Sequence, residues 1–208
     1  MWYPILITVL VGYLLGNLNG AVLMSHLLAH EDVRSQGSGN AGLTNFARNY
    51  GGIGSLGVIL VDGGKAVLAC LVGGLILEQH VGRLGGMAIG GLALMVGHDF
   101  PALLGFKGGK GILSGCLIAF TIDWRIGLLI LGIFAVLYVI TGYVSLGSVV
   151  AAAAFGVGFI LFHQDNLLVM LCGAVMGVLA VYMHRGNILR LIKGQERKTN
   201  LFKKGSKK

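Results

Sequence analysis

Charge is scarce in this sequence: 12% of its 208 residues are Asp, Glu, Lys or Arg, against about 25% in an ordinary soluble domain. That depletion, with 55% apolar residues and 36 glycines, excludes an ordinary soluble single-core protein. The glycines follow no collagen period, and the apolar content is too high for a disordered chain. An integral membrane protein remains. Cysteine is scarce too. Cys70, Cys116 and Cys172 each sit inside an apolar run. An odd count without polar company argues against a disulfide framework and against a zinc site, so they read as small core or lipid-facing residues. The first thirty residues hold no Lys, Arg, Asp or Glu. The basic start of a signal peptide is missing, and a retained helix is expected, opening with Trp2 and Tyr3 at the membrane interface.

Further uncharged stretches run over 84–98, 111–122, 126–164 and 166–184. The 39 residues of 126–164 would make one helix of about 58 Å, nearly twice a hydrocarbon core of about 30 Å. They must hold two spans, with the break between Thr141 and Ser148. Asp62 and Lys65, three residues apart, share one helix face and can pair there, which admits another span. Gly12, Gly16 and Gly20 recur every four residues and let a second helix pack closely. Seven spans are expected, at 3–28, 53–77, 84–103, 112–123, 126–141, 147–163 and 167–184. The segment 112–123 covers only about 18 Å and reads as a partial or tilted helix. The expected fold class is all-α and polytopic: a seven-helix membrane domain over 1–184 with its site in the loops, then a basic tail over 185–208.

Net charge is +8, from 16 Lys and Arg against 8 Asp and Glu. With seven spans, thirteen of the cations (Arg34, Arg48, Lys107, Lys110 and nine in the tail) fall on one side, and only Arg83 and Arg125 on the other. The positive-inside rule makes the richer side cytoplasmic and the N-terminus external. The tail, with Lys203, Lys204, Lys207 and Lys208, is accounted for by orientation and by anionic lipid headgroups, about 1 kcal/mol per basic residue near the surface. No nucleic-acid fold signature accompanies it, so no nucleic acid is expected as partner.

Three polar clusters share the cytoplasmic side. The first runs from Gly37 to Arg48: glycines that let backbone N–H groups approach an anion, hydrogen-bonding Ser38, Asn40, Thr44 and Asn45, and the fork of Arg48. The second joins Gly97-His98-Asp99-Phe100-Pro101 to Phe106-Lys107-Gly108-Gly109-Lys110-Gly111, two lysines around a glycine pair at a helix start. The third is His184-Arg185-Gly186-Asn187-Ile188-Leu189-Arg190 with Gly194-Gln195-Glu196. Each alone reads equally well as a turn, an orientation charge or an interfacial histidine; three on one face point to an anion site.

Several enzyme signatures are missing. The spacing around Lys110 is not that of a P-loop and no strand precedes it. There is no Gly-x-Ser-x-Gly elbow. His98 and Asp99 are neighbours whose side chains diverge on a helix. His26 and Glu31 have the spacing of an acyltransferase His-x4-Asp without the anion site that follows it. No cluster has metal-ligand spacing, and His80 and His163 fall in external loops without a role.

In order, Gly-Ser-Gly-Asn-x-Gly-x-Thr-Asn-x-x-Arg, Gly-His-x-x-Pro-x-x-x-x-Phe-Lys-Gly-Gly-Lys-Gly, Ser-Leu-Gly-Ser and His-x-x-Asn-Ile-x-Arg-Leu-x-x-Gly-x-Glu resemble the bacterial PlsY family, the acyl-phosphate:glycerol-3-phosphate acyltransferases. The resemblance spans most of the chain. It departs at Leu43, where the family has Ala, and at Ala66, where Asp-x-x-Lys is followed by Gly. It implies transfer of a fatty acyl group from acyl phosphate to the sn-1 hydroxyl of glycerol 3-phosphate, giving lysophosphatidic acid, at the cytoplasmic face of the bacterial inner membrane. No cofactor and no metal are implied, and the soluble enzyme that supplies acyl phosphate is a further implied partner. Ser38, Arg48 and Lys110 are expected on phosphate and oxyanion, and His184 and Asn187 on glycerol 3-phosphate. Gly37, Gly39, Asn40, Thr44, Asn45, His98, Lys107, Gly108, Gly109 and Ser145 are expected to line the substrates. The proton acceptor stays open between His184, His98 and a substrate phosphate. Asp62, Lys65 and Glu196 are expected to act structurally. The alternatives are a membrane carrier of phosphorylated metabolites, which the clustering at one face disfavours, and a non-catalytic lipid-binding scaffold, which leaves the glycine loops unexplained.

Overall fold

The computed structural model describes residues 2–198, and no strand occurs among them. Helix α1 (Tyr3–Asn17) carries Pro4 in its first turn, where the missing N–H has no partner to lose. The expected span 3–28 corresponds to one apolar stretch, Tyr3–Ala29, but its helix is interrupted: Leu18 is extended (φ −71°, ψ 107°), and Asn19 restarts the chain as α2 (Gly20–Ala29), its side chain accepting from Val22 N at 3.0 Å. The break is possible because Lys65 Nζ takes up the carbonyls of Gly16 and Leu18. A short helix, α3 (Leu43–Asn49), follows the first glycine loop.

Helix α4 (Gly52–Asp99) is a hairpin of two limbs, 52–81 and 83–99, reversed at Gly82 (φ 75°, ψ 159°). These limbs cover the residues expected as spans 53–77 and 84–103. The second stops at Asp99 because Pro101 pushes Phe100 out of the helical region (φ −126°, ψ 61°). The limbs touch backbone to backbone: a methyl on Gly73 would overlap Gly86 O, and one on Gly90 would overlap Ala69 O. The remaining helices are α5 (Ile112–Ile122), α6 (Trp124–Thr141), α7 (Val144–Phe162), α8 (Leu167–Met183) and α9 (Arg185–Ile192). Helix α6 starts two residues earlier than expected because Asp123 caps it, accepting from Arg125 N at 2.9 Å and pairing with the same arginine's guanidinium at 2.6 Å. Helix α7 starts at Val144, not 147, since Gly142 (φ 73°) and an extended Tyr143 (φ −98°, ψ 102°) make the break.

The glycine face of α1 and α2 packs as expected, against α4. A Cβ on Gly12 would lie 2.8 Å from Gly90 O and one on Gly20 would lie 2.9 Å from Val58 O, while Gly16 abuts Leu94 O. Leu94, Ile118, Phe159 and Met176 fill the centre between α4, α5, α7 and α8. The outer surface stays apolar: Leu60, Val139 and Val178 are over 70% exposed. Such a surface is stable in lipid, where each helix satisfies its own backbone. This is an integral membrane protein. One set of helix ends surrounds a cavity. At the opposite end His163 Nε2 lies 3.3 Å from Asp123 Oδ2. The Gly82 turn shares that end, since Gly85 abuts Leu168 at the start of α8.

Candidate active site

The first loop is shaped by Asn45. Its Oδ1 accepts from Ser38 N at 2.9 Å, and its Nδ2 donates to the carbonyls of Val33 and Gln36, both at 3.0 Å. Gly37 takes φ 59° directly beneath it, where a Cβ would sit 2.5 Å from Asn45 Oδ1. Asn45 thus braces the loop through its amide while itself lining the cavity, and Gly37, just outside the lining, makes room for that amide. Ser38, Gly39, Asn40, Thr44 and Arg48 face the same cavity.

The second loop lies over the end of α4. Gly108 N donates to Asp99 O at 3.3 Å and Gly109 N to His98 O at 3.0 Å. A side chain on Gly108 would overlap His98 O, and one on Gly109 would overlap the His98 ring, so the lysines of 107–110 need a glycine pair between them. The two loops are tied by Arg34, which donates to the carbonyls of Leu104 (2.7 Å) and Lys107 (3.2 Å) while Asp32 grips its guanidinium at 2.7 Å. Arg34 counted in the sequence only as an orientation charge. The available signal was an Asp-x-Arg step just before Gly-Ser-Gly.

The third cluster swings in from α9. Lys110 Nζ donates to Asn187 Oδ1 at 2.5 Å, and Asn187 Nδ2 donates to Glu196 Oε1 at 3.3 Å. Arg190 Nε donates to Glu196 Oε2 at 2.8 Å. Glu196 thus orients the amide that meets Lys110. His184, at the turn between α8 and α9, bonds through Nδ1 to Ala180 O at 2.7 Å. Asp62 and Lys65 pair at 2.9 Å, buried as expected, and reach His98.

These groups wall one cavity of about 890 Å³. Every candidate except Gly37 lines it, and it continues into an apolar arm between Met95, Ile130, Phe134 and Phe155. The sequence had no local signal for that arm, because its residues look like any membrane-helix side chains. Among the described residues, Ser145 Oγ and the Asp99 carboxyl are buried on the wall without a hydrogen-bond partner. Cations crowd the polar end. Burial pushes Arg48 below its usual range, with Glu196 opposing and Arg197 and Arg190 adding to the shift. Burial also takes Lys110 from 10.5 down to about 8, helped by Arg190 and Arg48 and opposed by Glu196. Mutual repulsion among buried cations is relieved by an anion. The cavity suits a phosphate joined or adjacent to an apolar chain.

A family described as glycerol-3-phosphate acyltransferase matches residues 6–194. The glycerol-3-phosphate acyltransferase of Thermoanaerobacter sp. (strain X514) is 35% identical over 192 residues, covering 92% of this chain and 94% of its own length. That of Clostridioides difficile (strain 630) is 36% identical over 202 residues, covering 94% and 96%. The crystal structure of PlsY (YgiH), an integral membrane glycerol 3-phosphate acyltransferase, is similar in its glycerol 3-phosphate form with TM-score 0.83 and 30% identity, covering 96% of this chain and 99% of that one. Its lysophosphatidic acid form gives TM-score 0.78 and 29% identity.

Proposed function

This chain belongs to the glycerol-3-phosphate acyltransferase family, a membrane enzyme that transfers a fatty acyl group to glycerol 3-phosphate, and we propose that its donor is acyl phosphate and its acceptor atom the sn-1 hydroxyl. The observation that carries this reading is the joining of a cation-rich end, with Arg48, Lys110 and Arg190 against Glu196, to an apolar arm in one cavity. Two phosphate dianions must sit near one acyl carbonyl, and buried cations offset their repulsion. The hydroxyl oxygen attacks the carbonyl carbon, and the acyl–oxygen bond to phosphate breaks. Inorganic phosphate leaves with the electron pair and finishes with the hydroxyl proton, so lysophosphatidic acid and hydrogen phosphate balance the two substrates. Acyl phosphate is a mixed anhydride with a good leaving group, so no metal is needed to activate it.

In this reading Ser38, Arg48 and Lys110 hold phosphate and oxyanion, and His184 and Asn187 hold glycerol 3-phosphate. Gly39, Asn40, Thr44, Asn45, His98, Lys107, Gly108, Gly109 and Ser145 complete the walls, with Gly37 shaping the loop behind them. The chain crosses the bacterial inner membrane seven times, with its N-terminus external and the site on the cytoplasmic face. Residues 1–184 form the membrane domain, and the tail 185–208 follows, its first part closing the site and its lysines meeting anionic headgroups. The soluble enzyme that makes acyl phosphate is its supplier. The thirteen cations on one side support this orientation.

The test is lysophosphatidic acid formation by purified protein in detergent from acyl phosphate, acyl-CoA and acyl carrier protein, with and without chelator. Turnover is expected from acyl phosphate alone, unchanged by chelator. Robust turnover with acyl-CoA overturns the donor assignment, and loss in chelator overturns the metal-free step. Turnover without a vesicle gradient excludes a carrier.

A further inference from the structure

Two histidines wall the cavity, and their partners hold them in opposite proton arrangements. His98 Nδ1 lies 2.9 Å from Lys65 Nζ. Lys65 is itself 2.9 Å from Asp62 Oδ1, and it faces the carbonyls of Gly16 and Leu18. An ammonium has protons and no lone pair, so a nitrogen in contact with it presents its own lone pair. A neutral imidazole bound this way carries its proton on Nε2. An uncharged Lys65 would strand the buried Asp62 carboxylate without its cation. Asp62 Oδ1 is also 3.8 Å from His98 Nδ1, too far for a hydrogen bond that would place the proton there. His184 is the reverse case. Its Nδ1 is 2.7 Å from Ala180 O, and a carbonyl only accepts, so Nδ1 carries the proton and Nε2 the lone pair.

The free edges face the chemistry. His98 is 5% exposed, and its Nε2 points at Gly109, where a side chain would overlap it. Among the described residues Nε2 has no hydrogen-bond partner. Among the described residues, the side-chain charges facing His98 are Asp62 and Lys65 on its own helix hairpin; the second loop meets it with a glycine pair.

We infer that the Asp62–Lys65 pair is a positioning device that fixes His98 as a hydrogen-bond donor to phosphate seated over Gly108 and Gly109, and leaves His184 Nε2 as the imidazole lone pair that meets the acceptor hydroxyl. The inference rests on the proposed function for the identity of the phosphate, but not for the proton positions. It separates two residues that look alike in the sequence. His98 cannot take a hydroxyl proton through its cavity-facing nitrogen, because that nitrogen is already protonated.

The test is nitrogen NMR of the full chain in detergent with ¹⁵N-labelled histidine, the signals assigned by their loss in His98→Gln and His184→Gln. His98 is expected with a protonated Nε2 and a bare Nδ1, and His184 with the opposite pattern. Inorganic phosphate is expected to shift the His98 Nε2–H signal and to leave His98 Nδ1 bare. The double variant Asp62→Asn with Lys65→Met removes both charges together. It is expected to let the His98 tautomers mix, leave those of His184 unchanged, and raise the KM of a phosphate-bearing substrate roughly ten-fold, the worth of one hydrogen bond to a charged group, with a much smaller change in kcat. A proton on His98 Nδ1 in the unsubstituted protein overturns the inference, and so does a His98 Nε2 signal indifferent to saturating phosphate. The two tautomers can be read even if the double variant fails to fold. Inferred tautomers and a phosphate response in a protein that makes no lysophosphatidic acid would support the device and overturn the proposed reaction.

Discussion

Arg48 and Lys110 carry the same charge as the tail lysines but sit in a different medium. Both are drawn out of water beside hydrogen-bonding partners, and Lys110 meets Asn187 at 2.5 Å. Arg48→Ala or Lys110→Ala is expected to lose a charge-assisted contact of about 1.5–3 kcal/mol, about ten- to a hundred-fold in kcat/KM. Lys203→Ala and Lys207→Ala, at positions outside the described residues, are expected to leave it nearly unchanged; equal losses would put the site elsewhere. Lys110 also makes a pH prediction. Its value in the folded protein lies at about 8, below the usual 10.5. The folded chain therefore gives up this proton first, so the cost of burying the charge is fully present below about pH 8 and fades as pH rises toward 10.5. Phosphate binding needs the charged form, while both substrates stay dianionic over the same range. Activity should fall as pH rises through about 8. Lys110→Arg, which keeps its charge there, should flatten the fall even at a lower kcat. An identical slope in wild type and Lys110→Arg would show that Lys110 is not the titrating group.

Among the elements, the α1–α4 contact is the most demanding. Gly16 abuts the Leu94 carbonyl, with Gly97 beside it, and neither backbone can yield as a flexible side chain would. Gly16→Ala is expected to lower the melting temperature in detergent and the yield of folded protein. Gly132, inside α6, has nothing within 4 Å of where a Cβ would stand. Gly132→Ala should be neutral or stabilising, by up to about 1 kcal/mol from helix propensity. Equal melting temperatures for the two variants would mean that α1 does not pack on α4 this closely. The breaks between elements follow polar atoms rather than hydropathy. The reading of 3–28 as one helix ignored Leu18 because nothing local marks it, and the lysine that accommodates the break lies on α4.

For the whole molecule, the arrangement of helix ends makes the topology testable. The ends carrying Ser38, His98, Lys110, Ser145 and His184 meet at one cavity, and the turn at Asp123 meets His163 at the other end. Reporter tags at residues 1 and 208 are expected on opposite sides, with 208 cytoplasmic. Tags on the same side would mean that 11-residue α5, about 17 Å long, does not cross. The site could then not lie on a single face.

Composition and order along the chain were enough for the membrane class and the three polar loops, because each depends on residues close together in sequence. The paired face of Asp62 and Lys65 was legible for the same reason. Division of labour within the site was not. That Asn45 braces its loop from within the cavity wall could not be read from its neighbours in sequence. Arg34 looked like an orientation charge until it reached carbonyls 70 and 73 residues away. As proton acceptors His98 and His184 stood open together in the sequence; their nitrogens differ in partner, Lys65, 33 residues from one, and a helix carbonyl, four residues from the other. A hydrogen bond is decided by which atom stands about 3 Å away, and for these groups that atom is brought there only by the packing of the helices.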